Sequence, residues 1–245
     1  MAIKGIIFDI NGTLVDINTN ETHDEIYRVI SNLLSYQGIF LTPEALKESY
    51  FKFMKNQFET SGEEFPEFDS PGIFREIIKQ NSTDFTRRLH PAKLGQLPLF
   101  LAETFRSASL FRLCLYPEVE RVIKKLHSKY RLAAVSDGQT AYVVPELNAA
   151  GLLNYFDPVI VSGDFGYRKP DMRLFKKALT AMNMNSSEVL FVGNDMYRDI
   201  YGAKASGIKA VFFKSNNCSF ENKTMEPDHV INNFMELLDV VRLYE

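Results

Sequence analysis

The chain has 245 residues, 45% of them hydrophobic, which is enough for one large domain or a core with an insertion and too apolar for a disordered or fibrous protein. Lys and Arg number 28 against 31 Asp and Glu, with no long run of either sign; this excludes generic attraction to nucleic acid or an anionic membrane and points to a small ligand. Cys114 and Cys218 lack C-x-x-C spacing and the four histidines form no zinc-ligand pattern, so a reducing compartment suits the chain better than a disulfide or zinc framework.

In chain order, a short apolar run, Ile3–Phe8, leads directly to Asp9. It is neither the apolar region of a signal peptide nor a spanning helix, and a soluble cytoplasmic protein is expected. Residues 17–113 then show helical periodicity and no convincing strand, with helices expected over Glu25–Leu34, Pro43–Phe58, Ile73–Lys79 and Leu97–Phe111. Thr42-Pro43-Glu44 is a helix start, and the cluster from Ser61 to Pro66 is a breaker. Phe51, Phe53, Phe58, Phe65, Phe68 and Phe74 are expected to pack the core of this helical segment, and Arg87, Arg88 and Arg106 to face solvent unless they meet an anionic substrate.

Beyond it, Pro117–Lys129 has Val119, Val122, Ile123 and Leu126 on one face, with Pro117 suited to the first helical position. Apolar runs at Arg131–Val135, Val159–Val161, Val189–Val192 and Lys209–Phe213, with a possible further one at His229–Ile231, are continuous rather than alternating, as strands covered on both faces should be. Strands alternating with helices predict an α/β fold, a doubly wound parallel sheet of Rossmann-like type. The core should comprise residues 1–16 and 114–245, with 17–113 an inserted all-helical domain.

Ligands collect at the carboxyl ends of parallel strands, so the residues just after each run carry the chemistry. The runs lead to Asp9-Ile10-Asn11-Gly12-Thr13, to Ser136-Asp137-Gly138, to Arg168-Lys169-Pro170-Asp171 and to Gly193-Asn194-Asp195-Met196-Tyr197-Arg198-Asp199. Any one of them could be a turn or a helix cap, and a lone Lys169 a solvated charge. Gly12 suits a close backbone approach, and Thr13 can support its loop through the hydroxyl.

Four such stations in this order resemble the haloacid dehalogenase superfamily. The wording G-I-I-F-D-I-N-G-T-L-V-D, F-G-Y-R-K-P-D and F-V-G-N-D-M-Y-R-D-I-Y-G-A resembles its branch of phosphoglycolate phosphatases and 2-haloacid dehalogenases. The resemblance implies a helical C1 cap in the insertion and a Mg²⁺-dependent hydrolase acting on a small phosphorylated metabolite. It makes Asp9 the nucleophile that forms an aspartyl-phosphate, with Asp9, the main-chain carbonyl of Asn11, Asp195 and Asp199 around the metal. Ser136 and the amides of Asp137 and Gly138 would bind phosphate oxygens, and Lys169, ahead of a helix beginning at Pro170, would pair with Asp9 and phosphate.

Two positions depart from the family's pattern. Asn11 stands where an Asp normally protonates the leaving group, a contribution of roughly 10²–10⁴-fold. Asn194 stands where a metal-binding Asp is common, so either Asp195 takes over or an amide oxygen replaces a carboxylate. A dehalogenase, whose halide leaves without a proton, and an attenuated phosphate-binding or regulatory protein are the competing readings. The cap residues that contact substrate are not legible, and neither is the choice between monomer and homodimer.

Overall fold

Residues 2–220 and 225–245 are described by the structure, a computed structural model. Its strands are β1 (Gly5–Phe8), β2 (Val15–Thr19), β3 (Leu110–Leu115), β4 (Arg131–Ser136), β5 (Val159–Val161), β6 (Val189–Gly193), β7 (Lys209–Phe213) and β8 (His229–Ile231). Six of them form a parallel sheet in the order β5-β4-β1-β6-β7-β8. This is the α/β fold expected, and each apolar run became a strand, including the one at His229–Ile231.

The period-two geometry of a strand explains why these runs are apolar throughout. Ile6, Phe8, Leu190 and Val192 enter the core on one face of the sheet, with Val119, Val122, Ile123 and Leu126 of helix α6 (Val119–His127). Ile7, Ala133, Val135 and Phe191 enter the core on the other face, with Leu174, Phe175 and Ala178 of α8 (Met172–Met182). In register, Phe8 pairs with Ala134 on one side and Val192 on the other, so the segments that follow β4, β1 and β6 emerge at a common edge.

The chain divides into two compact units, residues 1–17 with 112–245 and residues 18–111. The second contains α1 (Asp24–Ser35), α2 (Pro43–Thr60), α3 (Ser70–Asn81), α4 (Asp84–Arg87) and α5 (Pro91–Ser109). Thr42 caps α2 by accepting from the Ala45 amide, as its sequence indicates. The aromatic centre of this unit differs from expectation. Tyr50 stacks on Phe105 with ring centroids 4.4 Å apart, and Phe74 and Tyr27 each approach Phe105 at 5.9 Å. Phe74 is buried there, whereas Phe51, Phe53, Phe58, Phe65 and Phe68 are half-buried. Arg106 pairs with Glu21 at 3.2 Å, Arg87 pairs with Asp84 at 3.4 Å, and Arg88 is exposed.

Strands β2 and β3 pair as a two-stranded ribbon where no strand was expected. The ribbon carries the chain out of the first unit and back, and beyond the buried Val15 its residues are half-buried or exposed, which left no apolar run to read. Helix α5 starts at Pro91 and accommodates Pro98 internally rather than beginning near Leu97. Helix α6 begins after Pro117, because Glu118 takes a left-handed conformation, φ 66°, ahead of it. Helix α8 begins two residues beyond Pro170, capped by Asp171, whose carboxylate accepts from the Arg173 amide. No helix among the described residues is long and apolar enough to cross a membrane.

Replacing Phe105 with Ala removes the ring on which three aromatics converge. It should destabilise the helical unit by about 3–5 kcal/mol. Chemical denaturation should record that loss, with a new or earlier transition if the two units unfold separately.

Candidate active site

Asp9 follows β1 directly, its amide donating to the Val192 carbonyl at 2.9 Å, which ties the start of the loop to β6. The loop then turns tightly, with the amides of Leu14 and Val15 both donating to the Ile10 carbonyl at 2.9 and 3.0 Å. Gly12 permits that turn twice over. Its φ is +88°, and a Cβ there would lie 2.4 Å from Nδ2 of Asn194. The close approach is to a neighbouring side chain of the protein itself.

Lys169 joins the strand ends. Its ammonium donates to Asp9 Oδ1 at 2.6 Å, to Asp199 Oδ1 at 2.8 Å and to the Val135 carbonyl at 3.1 Å, linking the segments after β1, β6 and β4. The lysine is 3% exposed, Asp9 5% and Asp199 1%, so a single ammonium offsets part of the charge of two carboxylates out of water. Burial alone would push the Lys169 ammonium down, but the carboxylates of Asp199, Asp9 and Asp137 outweigh it and hold its pKa above the ordinary lysine range. Burial pushes the Asp199 carboxyl up to about 6, against the opposing pull of Lys169.

The remaining oxygens of this cluster are satisfied by specific donors. Thr13 Oγ1 lies 2.8 Å from Asp9 Oδ2 and 3.1 Å from Asn194 Oδ1, so one hydroxyl proton serves two acceptors. Asp199 Oδ2 accepts from the amides of Asn194 and Asp195, both at 3.0 Å. Gly193 makes this possible, since a Cβ there would fall 2.5 Å from the Asp199 carboxyl group. Asp195 is engaged by protein donors at both oxygens. Its Oδ1 caps the π-helical turn Met196–Tyr201 by accepting from the Tyr197 and Arg198 amides, and its Oδ2 accepts from Arg198 Nε at 2.9 Å. Asp199 lies inside that turn rather than at its start.

The segment after β4 is held from two sides. Asp137 Oδ1 accepts from the Lys169 amide at 2.9 Å, and Oδ2 lies 3.7 Å from Arg198. Burial raises the pKa of the Asp137 carboxyl, while Lys169 and Arg198 oppose that shift. The Gly138 amide, expected to face phosphate, instead donates to Ser162 Oγ at 2.8 Å. Ser162 follows β5, and Gly163 beside it allows the contact, since a Cβ there would meet the Gly138 carbonyl at 2.6 Å. Ser136 is fully buried at the end of β4, and Gln139, rather than Ser136, precedes the helix α7 (Thr140–Ala149). The Asn11 side-chain oxygen is buried and has no hydrogen-bond partner among the described residues.

Asp9, Lys169, Asn194 and Asp199 are thus joined in one network, to which Asp195 connects through the Asp199 carboxylate and Asp137 through the Lys169 amide. The residues not singled out from sequence are Ser162 after β5, Arg198, and Asn217 after β7, whose carbonyl accepts from Asn194 Nδ2 at 2.8 Å. Inspecting the polar residues past every strand, rather than past four of them, would have flagged Ser162 and Asn217.

A buried carboxylate at the end of the central strand of a parallel sheet is thus salt-bridged to a lysine. The pattern of the haloacid dehalogenase-like hydrolases matches residues 3–207, and the chain belongs to that family. It is a hydrolase. It is 28% identical to the glyceraldehyde 3-phosphate phosphatase of Methanothermobacter thermautotrophicus, over 96% of this chain and 94% of that protein. It is 25% identical to a phosphoglycolate phosphatase of Yersinia pestis, over 99% and 94%. Its fold is similar to that of a 2-haloacid dehalogenase from Pseudomonas syringae, with a TM-score of 0.72 at 21% identity, covering 99% of this chain and all of the other.

Gly12→Ala should force Asn194 aside and strain the backbone, at a cost of roughly 1–3 kcal/mol. Urea unfolding should show the loss; a variant as stable as the parent would mean that the loop is not packed against Asn194.

Proposed function

We propose that the chain is a phosphatase of small phosphomonoesters with Asp9 as its nucleophile. The observation that carries this reading is the Asp9 carboxylate itself, buried, salt-bridged to Lys169 at 2.6 Å and hydrogen-bonded by Thr13 at 2.8 Å. A carboxylate so held is fixed in direction, as a nucleophile must be. The phosphatase relatives point the same way and suggest a substrate of a few carbons, such as glyceraldehyde 3-phosphate or phosphoglycolate.

In the first step an Asp9 oxygen forms a bond to phosphorus and the P–O bond to the leaving alcohol breaks. In the second, water attacks phosphorus, the acyl-phosphate bond breaks, and Asp9 and inorganic phosphate are regenerated. Lys169 offsets the negative charge that gathers as an anionic ester meets an anionic side chain. Ser136 and the amide of Asp137 are the groups we assign to phosphate oxygens; Gly138, whose amide is engaged by Ser162, is left out of that set. The leaving alkoxide takes its proton from water, since the Asn11 amide has none to give at ordinary pH. Slow turnover of alkyl phosphates follows.

Mg²⁺ suits the site in a weakened form. Two oxygens, of Asp9 and Asn194, converge on one hydroxyl proton, and the Asn11 oxygen is buried without a partner, so acceptors outnumber donors around the first loop. Among the described residues no group of three or more His, Cys, Asp or Glu is disposed to hold a metal ion. A cation here would therefore rest on one carboxylate, Asp9, with the main-chain carbonyl of Asn11 and the amide oxygen of Asn194, and would keep several waters. Asp195, which caps the turn Met196–Tyr201, and Asp199, which accepts from Lys169 and from two main-chain amides, are assigned to holding the site together. When bound, the metal would neutralise charge between nucleophile and phosphate. A dehalogenase is the second reading, favoured by Asn11, because halide departs without a proton.

Asp9→Ala should abolish hydrolysis of p-nitrophenyl phosphate and alkyl phosphates measured with Mg²⁺, while halide release from 2-haloacids would instead support the second reading. Asn11→Asp should accelerate alkyl phosphate turnover by roughly 10²-fold, the lower end of what a proton donor contributes. Unchanged rates with fold and Mg²⁺ affinity intact would refute the role given to position 11. In calorimetric titration with Mg²⁺, Asn194→Ala should weaken binding and Asp195→Asn should not. The reverse result would move the ligand to Asp195.

A further inference from the structure

The ribbon reaches the nucleophile through a chain of side chains that the catalytic reading does not use. Asp16 on β2 accepts at Oδ1 from Arg112 of β3 at 2.9 Å and from Asn217 Nδ2 at 3.2 Å. Tyr116, one residue past β3, donates its hydroxyl to Asn216 Oδ1 at 2.6 Å, and its amide donates to the Leu14 carbonyl at 3.1 Å. Both strands at the root of the ribbon therefore grip the segment after β7.

That segment in turn fixes Asn194. The Asn217 carbonyl accepts from Asn194 Nδ2 at 2.8 Å, and the Ser219 amide donates to the Asn194 carbonyl at 3.0 Å. The amide orientation follows from its partners. Nδ2 faces a carbonyl that can only accept, and Oδ1 faces the Thr13 hydroxyl, so a flipped amide would set oxygen against oxygen. The same contact accounts for the Asn. An Asp at position 194 would bring a carboxylate oxygen against the Asn217 carbonyl. Thr13 then has one proton for Asn194 Oδ1 and Asp9 Oδ2, so where Asn194 sits decides how firmly Asp9 is held.

We propose that Asn217, held by Asp16 of the ribbon, is a positioning residue that sets the Asn194 amide and, through the Thr13 hydroxyl, the Asp9 carboxylate. A relay of this kind is established by measured coupling and not by adjacency. Its kinetic consequence rests on the reading of Asp9 as nucleophile, but its structural content does not.

The experiment follows the Asn194 side-chain amide by ¹⁵N-edited NMR, assigned by its disappearance in Asn194→Ala, beside kcat and KM for p-nitrophenyl phosphate with Mg²⁺. Asp16→Ala should shift the Asn194 amide signal, speed exchange of its protons and lower kcat by about two- to fivefold, the effect of one net hydrogen bond, with KM little changed. Asp16→Asn keeps an acceptor for Asn217 and should leave the Asn194 signal as in the parent. The proposal is overturned if Asp16→Ala leaves that signal in place, or if Asp16→Asn moves it as far as Ala does. Should Asp16→Ala fail to fold, Asn217→Ala, which loses the side chain held by Asp16 and keeps the main-chain carbonyl facing Asn194, takes the same readout: a shifted Asn194 signal supports the relay and an unshifted one overturns it. If Asp9→Ala still hydrolyses phosphate esters while the Asn194 signal responds as described, the nucleophile reading fails and the relay stands.

Discussion

The structure of the site depends on one buried ammonium. Lys169 is surrounded by the carboxylates of Asp9 and Asp199 and the Val135 carbonyl, which come from three different strand ends. A cation removed from water needs such partners, and removing the cation would leave two carboxylates in the interior with nothing between them to offset their charge. The interaction therefore constrains in both directions. It holds Asp9 in one direction, and it requires the segments after β4, β1 and β6 to stay in register. Arg198 repeats the arrangement closer to solvent, between Asp195 and Asp137, so the segments after β4 and β6 are tied twice.

Around this cation the glycines and amides make a compact frame. Gly12 lets the first loop close on Asn194, and Gly193 lets the Asp199 carboxyl sit beneath the end of β6. Asn11 and Asn194 keep carbonyl oxygens at two places without adding charge. With four carboxylates and two cations in the network, two further anions beside Asp9 would raise the electrostatic cost of the site without a bound metal.

Most of the fold was legible because its signal is redundant. Strands β1 and β6 are buried at every position and β4 at all but its first, so each reads as an apolar run, and each is followed by the polar residues of the candidate site. The ribbon escaped notice because β2 and β3 are partly exposed and their residues, such as Asp16 and Arg112, look like loop. The order of the four stations pointed to Asp9 and Lys169, but not to how each polar atom is occupied. Asp195 and Gly138 look like ligands in the sequence, and only the positions of Arg198 and Ser162 show that protein donors and acceptors already occupy them. Such occupancy depends on residues far away in the chain, which no local pattern encodes.

The central position of β1 bears on how the molecule is made. Its four residues precede both of their sheet neighbours, which begin at Arg131 and Val189, so the strand that leads to Asp9 can pair with neither until the whole of residues 18–111 has been synthesised. The helices of residues 18–111 contact one another locally and can collapse in the meantime, with β1 left tethered and unpaired beside them. Assembly of the sheet is then a late event of high contact order, and the apolar β1 is open to mispairing while the nascent chain waits.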